Sequence, residues 1–214
     1  MTDGFHFVRH GETDDNLRGV RCGGDRDIPL TERGVEQARQ AAERLRRSGR
    51  ICGLVIAGPL DRTAVTGAVF AETLGVPLLR RDWLRERSLG DWNGLPIELT
   101  RPWFAAGETP PGGESEGAFA ARVLDGVDEL ANGPAGLLEH RPLLVGSKGV
   151  ARILLHRLAG RPGVELGNCE VVAFTRLSAP PGGPGWWRCD PLAVPLATPL
   201  EAPLEAKAGA CCPA

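Results

Sequence analysis

The amino-acid sequence predicts an α/β fold with three layers, in which helices cover both faces of a mainly parallel sheet. Short apolar runs at residues 5–8, 52–57, 142–145 and 170–174 alternate with longer helical patterns. The runs at 52–57 and 142–145 are continuous, as expected for strands that are buried on both faces. A chain of 214 residues is long enough for one such domain with a sizeable core.

The helices between these strands are predicted from the spacing of apolar residues. The first begins after Thr31, a residue type that caps helix N-termini, and its apolar stripe runs from Val35 to Leu45. The second covers residues 61–74, and a third begins at residues 114–115. The fourth follows the turn at residues 146–149.

Residues 84–113 are predicted to form a loop, because glycines, an asparagine and a Pro-Pro-Gly-Gly run interrupt any helical pattern. Trp103 and Phe104 fall within this loop. Together with Trp83 and Trp92 they form either the wall of a pocket or a small core of the loop itself.

The chain is expected to contain a single domain at residues 1–190, followed by a tail at residues 191–214. Residues 178–185 are almost all Pro and Gly, and an edge strand is predicted at residues 186–188. The tail is rich in Pro and Ala, so we expect it to be docked or disordered rather than a second domain.

Composition and charge limit the kinds of binding partner that we expect for this chain. The net charge is -2, from 25 Lys and Arg against 27 Asp and Glu, which gives no global attraction to nucleic acid or to acidic membranes. No apolar run approaches the roughly 18 residues that suggest a membrane span. The six cysteines show no metal-ligand spacing. We therefore expect a cytoplasmic protein with free thiols, no metal, and neither a nucleic-acid nor a membrane partner, while the oligomeric state is left open.

Polar residues follow three of the predicted strands at the edge where parallel strands end. Arg9 and His10 follow the first strand, Arg62 follows the second, and Ser147 with Lys148 follow a later one. At this edge side chains leave the core and meet ligand. An Arg beside a His suits a phosphorylated substrate, although a strand-end pair without chemistry is the plain alternative.

The loop after His10 is rich in Gly and Arg. Gly23 and Gly24 are candidates to offer backbone N–H groups to a phosphate, and the alternative is an ordinary solvated loop. The arginines of this loop would favour a substrate with a second negative group: Arg18, Arg21 and Arg26.

Several blocks together resemble the histidine phosphatase superfamily, which has the phosphoglycerate mutase-like fold. Residues 8–13 read VRHGET and are followed by Asn16, and residues 27–34 read DIPLTERG. Residues 58–63 read GPLDRT, residues 84–94 contain the LRE and GDWNG segments, and residues 111–115 read PGGES. The resemblance covers residues 5 to about 175.

The resemblance implies a mechanism and a role for each residue. His10 would take the phosphoryl group of a small phosphorylated substrate and form a phosphohistidine. Arg9, Arg62 and Asn16 would hold the phosphoryl oxygens and neutralise charge, and Glu86 would be the general acid and base. No metal or other cofactor is expected, because the arginines supply the positive charge.

The last block departs from the family pattern. Residues 145–152 read VGSKGVAR where the family has VSHGGVIR, which places Ser147 where the second catalytic histidine belongs. Lys148, at the start of a helix, is a candidate to supply the missing positive charge. The remaining histidines are predicted to be structural or surface residues: His6, His140 and His156.

Three hypotheses for function follow. The first is a phosphatase with a slowed or retuned site that still uses His10. The second is a protein that binds a phosphorylated ligand or a protein partner without turnover. The third is a mutase, which ranks lowest because mutases of this family tend to carry a longer insertion after the acid block. The first is favoured because Arg9, His10, Arg62 and Glu86 are all present.

Overall fold

A computed structural model describes residues 4–177 and 186–191 of the chain. The strands form one sheet in the order β3-β2-β4-β1-β5-β6. Their bounds are β1 Gly4–Arg9, β2 Val55–Ala57, β3 Leu78–Arg80, β4 Leu143–Gly146, β5 Val171–Leu177 and β6 Trp186–Pro191. The first four strands in chain order are parallel, whereas β5 is antiparallel to β1 and β6 is antiparallel to β5.

Helices connect the strands. Their bounds are α1 Asp14–Arg18, α2 Glu32–Arg47, α3 Asp61–Leu74, α4 Ile97–Ala105, α5 Glu116–Asn132 and α6 Lys148–Ile153, and a π-helical turn continues α6 over Leu154–Leu158. The predicted cap of α2 is confirmed, because Oγ1 of Thr31 accepts a hydrogen bond from the N–H of Gly34 at 2.9 Å. Oγ of Ser115 caps α5 in the same way, from the N–H of Ala118 at 3.1 Å.

The sheet has a hydrophobic core on each face, which confirms the predicted α/β fold. Side chains of a strand alternate between its two faces, so Phe5 and Phe7 lie on one side of β1 and Val8 on the other. On the first face they pack with α5 and α6, through residues such as Phe119 and Ile153. On the second face the core joins Val8 to the apolar sides of α2 and α3.

The sequence prediction was wrong about the segment that contains Trp103 and Phe104. These residues lie in α4 rather than in a loop. Prolines masked the pattern, since Pro96 caps this helix and Pro102 lies inside it. The ring centroids of Trp103 and Phe104 each lie 5.2 Å from the ring centroid of Trp92. These three aromatic residues therefore form a small core.

Two further differences concern strands. The sequence analysis did not predict β3, which has only three residues and therefore little apolar pattern. The run at residues 52–57 is a strand only over Val55–Ala57. The predicted edge strand is confirmed as β6, which extends to Pro191.

Some predictions concern residues outside the described ranges. The Pro/Gly-rich stretch at 178–185 and nearly all of the predicted tail, residues 192–214, are among them. The division between domain and tail therefore stays a prediction. Of the described part of the chain, no helix is long and apolar enough to cross a membrane.

His6 is a buried imidazole on β1 whose Nδ1 has no hydrogen-bond partner among the described residues. Burial lowers its pKa from 6.5 to about 4, and the positive charges of Arg50 and Arg141 add to the shift. The unfolded chain therefore binds a proton below pH 6.5 that the folded protein does not bind until about pH 4. The contribution of the neutral imidazole to the free energy of unfolding is complete above pH 6.5 and is lost as the pH falls from 6.5 to about 4.

Replacing His6 by Asn should remove this pH dependence. Between about pH 7 and about pH 5, the wild type is expected to lose about 2 kcal/mol more of its free energy of unfolding than His6→Asn loses. Urea unfolding at both pH values measures the difference. His156→Asn changes an exposed histidine and should lose as much as the wild type. Equal losses in His6→Asn and the wild type would contradict this explanation.

Candidate active site

The site is formed where β1 and β4 end side by side. Arg9 is paired with Gly146 in the parallel register, and the N–H of His10 donates to the carbonyl of Gly146 at 2.9 Å. His10 and Ser147 are therefore the next residues of two adjacent strands. The neighbouring strand β2 is followed by Gly58, whose N–H donates to the carbonyl of Val145 at 3.0 Å.

His10 is positioned as an unprotonated base. Its side chain is 4% exposed, and its Nδ1 lies 2.7 Å from the carbonyl oxygen of Gly11. Because a carbonyl oxygen can only accept, Nδ1 carries the hydrogen and Nε2 keeps a free lone pair. Burial lowers the pKa of His10 to about 3, and the positive charges of Arg62 and Arg9 reinforce the shift. A neutral imidazole with a free Nε2 is suited to nucleophilic attack.

Gly11 is required by packing. A Cβ at this position would collide with the backbone of Gly34 in the first turn of α2. The N–H of Gly11 donates to Oγ1 of Thr66 at 3.1 Å. The chain after His10 is thus held against both α2 and α3.

Arg62 lies in the first turn of α3 and is 1% exposed. Its Nη1 donates to the carbonyl of Arg26 at 2.9 Å, and its Nη2 donates to the carbonyl of Gly23 at 3.0 Å. The carboxylate of Asp27 is 3.9 Å from Nη1 and also accepts the N–H of Asp61, so it caps α3 where Leu60 provides no side-chain cap. The guanidinium is therefore fixed beside His10 by the preceding loop.

Arg9 is held by the loop that precedes β5. Its Nη1 donates to the carbonyl of Leu166 at 2.9 Å, and its own carbonyl accepts the N–H of Cys169 at 3.0 Å. Its Nε is buried and has no hydrogen-bond partner among the described residues. Burial lowers the pKa of Arg9, and the carboxylates of Glu86 and Glu165 oppose the shift.

Asn16 lies in the first turn of α1, where it completes a capping box with Thr13. Its Oδ1 accepts from the N–H of Thr13 at 3.2 Å and from Nδ2 of Asn168 at 3.1 Å. Asn168 also donates to the carbonyl of His10 at 3.0 Å. Sequence reasoning missed Asn168, because nothing in its local pattern distinguishes it from other loop residues.

Glu86 approaches the site from the loop after β3 and is 9% exposed. Its Oε1 accepts the N–H of Arg87 at 2.7 Å, and its Oε2 accepts the N–H of Gly149 at 2.8 Å. A Cβ at Gly149 would overlap the Glu86 carboxylate, so a larger residue there would displace that carboxylate. The carboxylate is therefore fixed in the first turn of α6, close to Ser147.

Ser147 and Lys148 have different environments. Ser147 is 2% exposed, and its Oγ has no hydrogen-bond partner among the described residues. The side chain of Lys148 is half exposed, and its Nζ lies 2.8 Å from Oε2 of Glu165. In this structure the lysine charge is therefore paired with the carboxylate of Glu165.

The amides of Gly23 and Gly24 are both engaged within the protein. Gly23 donates to Oδ1 of Asn93 at 2.7 Å, and Gly24 donates to the carbonyl of Arg87 at 2.8 Å. The carboxylate of Asp25 accepts the N–H groups of Leu89 and Gly90. The structure thus shows these glycines bracing the acid-bearing segment and, through the Gly23 carbonyl, Arg62.

Comparisons with known proteins agree with this geometry. Residues 5–187 match the family model described as the histidine phosphatase superfamily, branch 1. A protein named probable phosphoglycerate mutase GpmB of Yersinia pestis (strain Pestoides F) is 31% identical over 196 residues, which are 85% of this chain and 88% of that protein.

Solved structures are similar over most of the fold. Mycobacterial glucosyl-3-phosphoglycerate phosphatase in complex with VO3 has a TM-score of 0.73 and 28% identity, over 88% of this chain and 97% of that one. The alpha-ribazole phosphatase from Shigella flexneri shares the fold, with a TM-score of 0.65 and 24% identity over 80% and 89% of the two chains. The family match, together with the arrangement of the site, shows that this chain belongs to the histidine phosphatase superfamily.

Proposed function

We propose that this protein hydrolyses a small phosphomonoester through a phosphohistidine at His10, in a site modified at Ser147. The observation that carries the proposal is the state of His10, a neutral imidazole with a free Nε2 close to two arginines. Structural relatives named as phosphatases support the same chemistry. The nearly balanced charge of the chain favours a small metabolite over a nucleic acid or an acidic membrane as its partner.

In the first step, Nε2 of His10 attacks phosphorus in line with the ester oxygen. The P–O bond breaks as the N–P bond forms, and the carboxyl of Glu86, which enters this step protonated, gives its proton to the leaving oxygen. In the second step, water attacks the phosphohistidine, Glu86 takes its proton, and His10 is released with inorganic phosphate. Arg9, Arg62 and Asn16 stabilise the charge on the phosphoryl oxygens, which is the main task in phosphoryl transfer.

Ser147 occupies the position at which the family pattern has a second histidine. Its buried Oγ, which has no hydrogen-bond partner in the described part of the chain, would donate one neutral hydrogen bond to a phosphoryl oxygen. An imidazolium offers a charge as well, and loss of one preorganised oxyanion donor typically costs about 100- to 1,000-fold in rate. We therefore propose a slowed or retuned phosphatase, with Lys148 as a second cation if its ion pair with Glu165 opens.

Two other functions remain as outcomes of the experiments. Binding of a phosphorylated ligand or a protein partner without turnover follows if Ser147 abolishes the chemistry. A mutase is the least favoured, although a relative carries that name, because the segment after Glu86 is short and rich in Gly and Pro.

His10→Ala should abolish phosphate release from a panel of phosphorylated sugars, glycerate phosphates and nucleotides, because it removes the nucleophile. The measurement is inorganic phosphate released by purified wild type and variant, repeated with excess EDTA, which should not change the wild-type rate. Phosphohistidine should be trapped in the wild type and be missing in His10→Ala.

His156→Ala, at an exposed histidine, is the matched control and should keep full activity. Turnover by the wild type no faster than by His10→Ala on every ester would favour the binding function.

Ser147→His should raise kcat on a generic aryl phosphate by about 10- to 1,000-fold, because it restores a charged donor beside the phosphoryl group. Ser147→Ala should lower it, because the remaining neutral donor is lost. The measurement is the steady-state rate of the wild type and of the two Ser147 variants on one ester. A fall in rate for Ser147→His would mean that Ser147 is adapted to a particular substrate.

A further inference from the structure

Residues 167–170 form a tight turn just before β5. The N–H of Glu170 donates to the carbonyl of Gly167 at 3.2 Å, and the Glu170 carboxylate accepts the N–H of Gly167 at 2.8 Å. Cys169, inside the turn, has a φ of 55°, a left-handed conformation that is uncommon for a residue with a Cβ. Such a conformation persists only where the surrounding structure holds it. The turn therefore has a defined shape that its neighbours maintain.

The turn is bonded to the end of β1 through both its backbone and a side chain. The N–H of Cys169 donates to the carbonyl of Arg9 at 3.0 Å, and Nδ2 of Asn168 donates to the carbonyl of His10 at 3.0 Å. The N–H of His10 donates to the carbonyl of Gly146 in β4. The backbone of His10 is therefore fixed between β4 and the turn.

Asn168 also determines which way the side-chain amide of Asn16 faces. Because a carbonyl oxygen can only accept, the group of Asn168 that lies next to the His10 carbonyl is its NH2. The same NH2 is 3.1 Å from Asn16, which must therefore turn its oxygen toward it. The N–H of Thr13 contacts the same oxygen at 3.2 Å. Two donors thus hold Oδ1 of Asn16 on one side.

The other end of the Asn16 amide is left for a ligand. Its Nδ2 donates to no other residue in the part of the chain that the structure describes, and the residue is only partly buried. An amide turned by half a rotation would present an acceptor oxygen in place of this donor. The orientation therefore decides whether Asn16 attracts or repels a phosphoryl oxygen.

We propose that Asn168, anchored on the carbonyl of His10, is a positioning residue that directs the N–H donors of Asn16 toward the phosphoryl group. The inference rests on the proposed phosphatase function, in which Asn16 binds a phosphoryl oxygen. Asn168 acts through Asn16 and does not itself touch the substrate. Donors that are oriented in advance need no reorganisation when the negative charge arrives, which makes them more effective.

The test is a double-mutant cycle on the binding of inorganic phosphate, measured by calorimetry, which needs no turnover. Asn16→Ala should weaken binding by about 10- to 100-fold, as for loss of a hydrogen bond to a charged group. Asn168→Ala should weaken it by about 3- to 10-fold, because the Asn16 amide is then free to rotate. In the Asn16→Ala background, adding Asn168→Ala should change the affinity by less than about twofold, because the residue through which Asn168 acts is gone.

Asn168→Asp reverses the polarity of the side chain at nearly constant size. Its carboxylate would repel Oδ1 of Asn16 and accept from Nδ2, so the amide should turn its oxygen toward the phosphoryl group. Phosphate binding should then weaken by about 10- to 100-fold. Asn132→Asp is the matched control, because it adds the same charge at an exposed residue beside Arg176, at the opposite edge of the sheet. It should change the affinity by less than about twofold, since solvent screens a distant exposed charge.

The side-chain amide of Asn16 reports its orientation directly by NMR. Its resonance, identified by its loss in Asn16→Ala, should shift when saturating phosphate is added to the wild type. In Asn168→Asp the resonance should stay unshifted, because the N–H donors then face the new carboxylate. Backbone resonances of the same sample show whether the variant is folded, so a structural failure is distinguished from a turned amide.

The outcomes separate the two proposals. The positioning role would be overturned by equal effects of Asn168→Ala in the two backgrounds, or by an Asn16 shift that survives in folded Asn168→Asp. It would also be overturned by a loss in Asn132→Asp as large as that in Asn168→Asp, or by no binding of phosphate to the wild type. Absence of turnover by the wild type, with the cycle and the shift as expected, would instead overturn the phosphatase function and leave the role of Asn168 standing.

Discussion

The site depends on the burial of a neutral imidazole close to two guanidinium groups. Protonation of His10 would place a third positive charge in a largely buried space, so the environment keeps its imidazole deprotonated. The same positive surroundings favour a phosphoryl dianion. One electrostatic arrangement would therefore serve both the nucleophile and the phosphoryl group of the proposed reaction.

Burial of Arg62 is costly unless its hydrogen bonds are satisfied, and the loop at residues 22–27 satisfies them. The carbonyls of Gly23 and Arg26 accept from its guanidinium, and Asp27 contributes a more distant negative charge. Asp25 of the same loop binds the segment after Glu86. The loop therefore fixes the position of Arg62 relative to Glu86. Its glycines allow the close packing that this requires.

The parts that the sequence predicted well are those encoded locally. Arg9, His10 and Arg62 follow strands whose apolar runs are visible, so their convergence at one sheet edge follows from a parallel sheet. The antiparallel direction of β5 was not predictable, because an apolar run does not encode strand direction. Helix α4 was missed because Pro102 interrupts its pattern, although the side chains of Trp103 and Phe104 pack well enough to outweigh that local cost.

Contacts between residues far apart in the chain were beyond sequence reasoning. Asn168 reaches the carbonyl of His10 across 158 residues, and no short motif marks it. The partner of Lys148 was equally hidden, since Glu165 lies on a loop that is placed by long-range contacts such as the bond between Leu166 and Arg9. The motif around Ser147 suggested that the neighbouring lysine supplies a missing positive charge, whereas the structure pairs that lysine with Glu165.

The pairing of Lys148 bears on the proposed replacement of a second histidine by Ser147. With Lys148 bound to Glu165, Ser147 would contribute a neutral donor, and a bound phosphoryl group would meet positive charge mainly from Arg9 and Arg62. The replacement would therefore leave the proposed reaction with one positive charge fewer, unless the exposed ion pair of Lys148 opens.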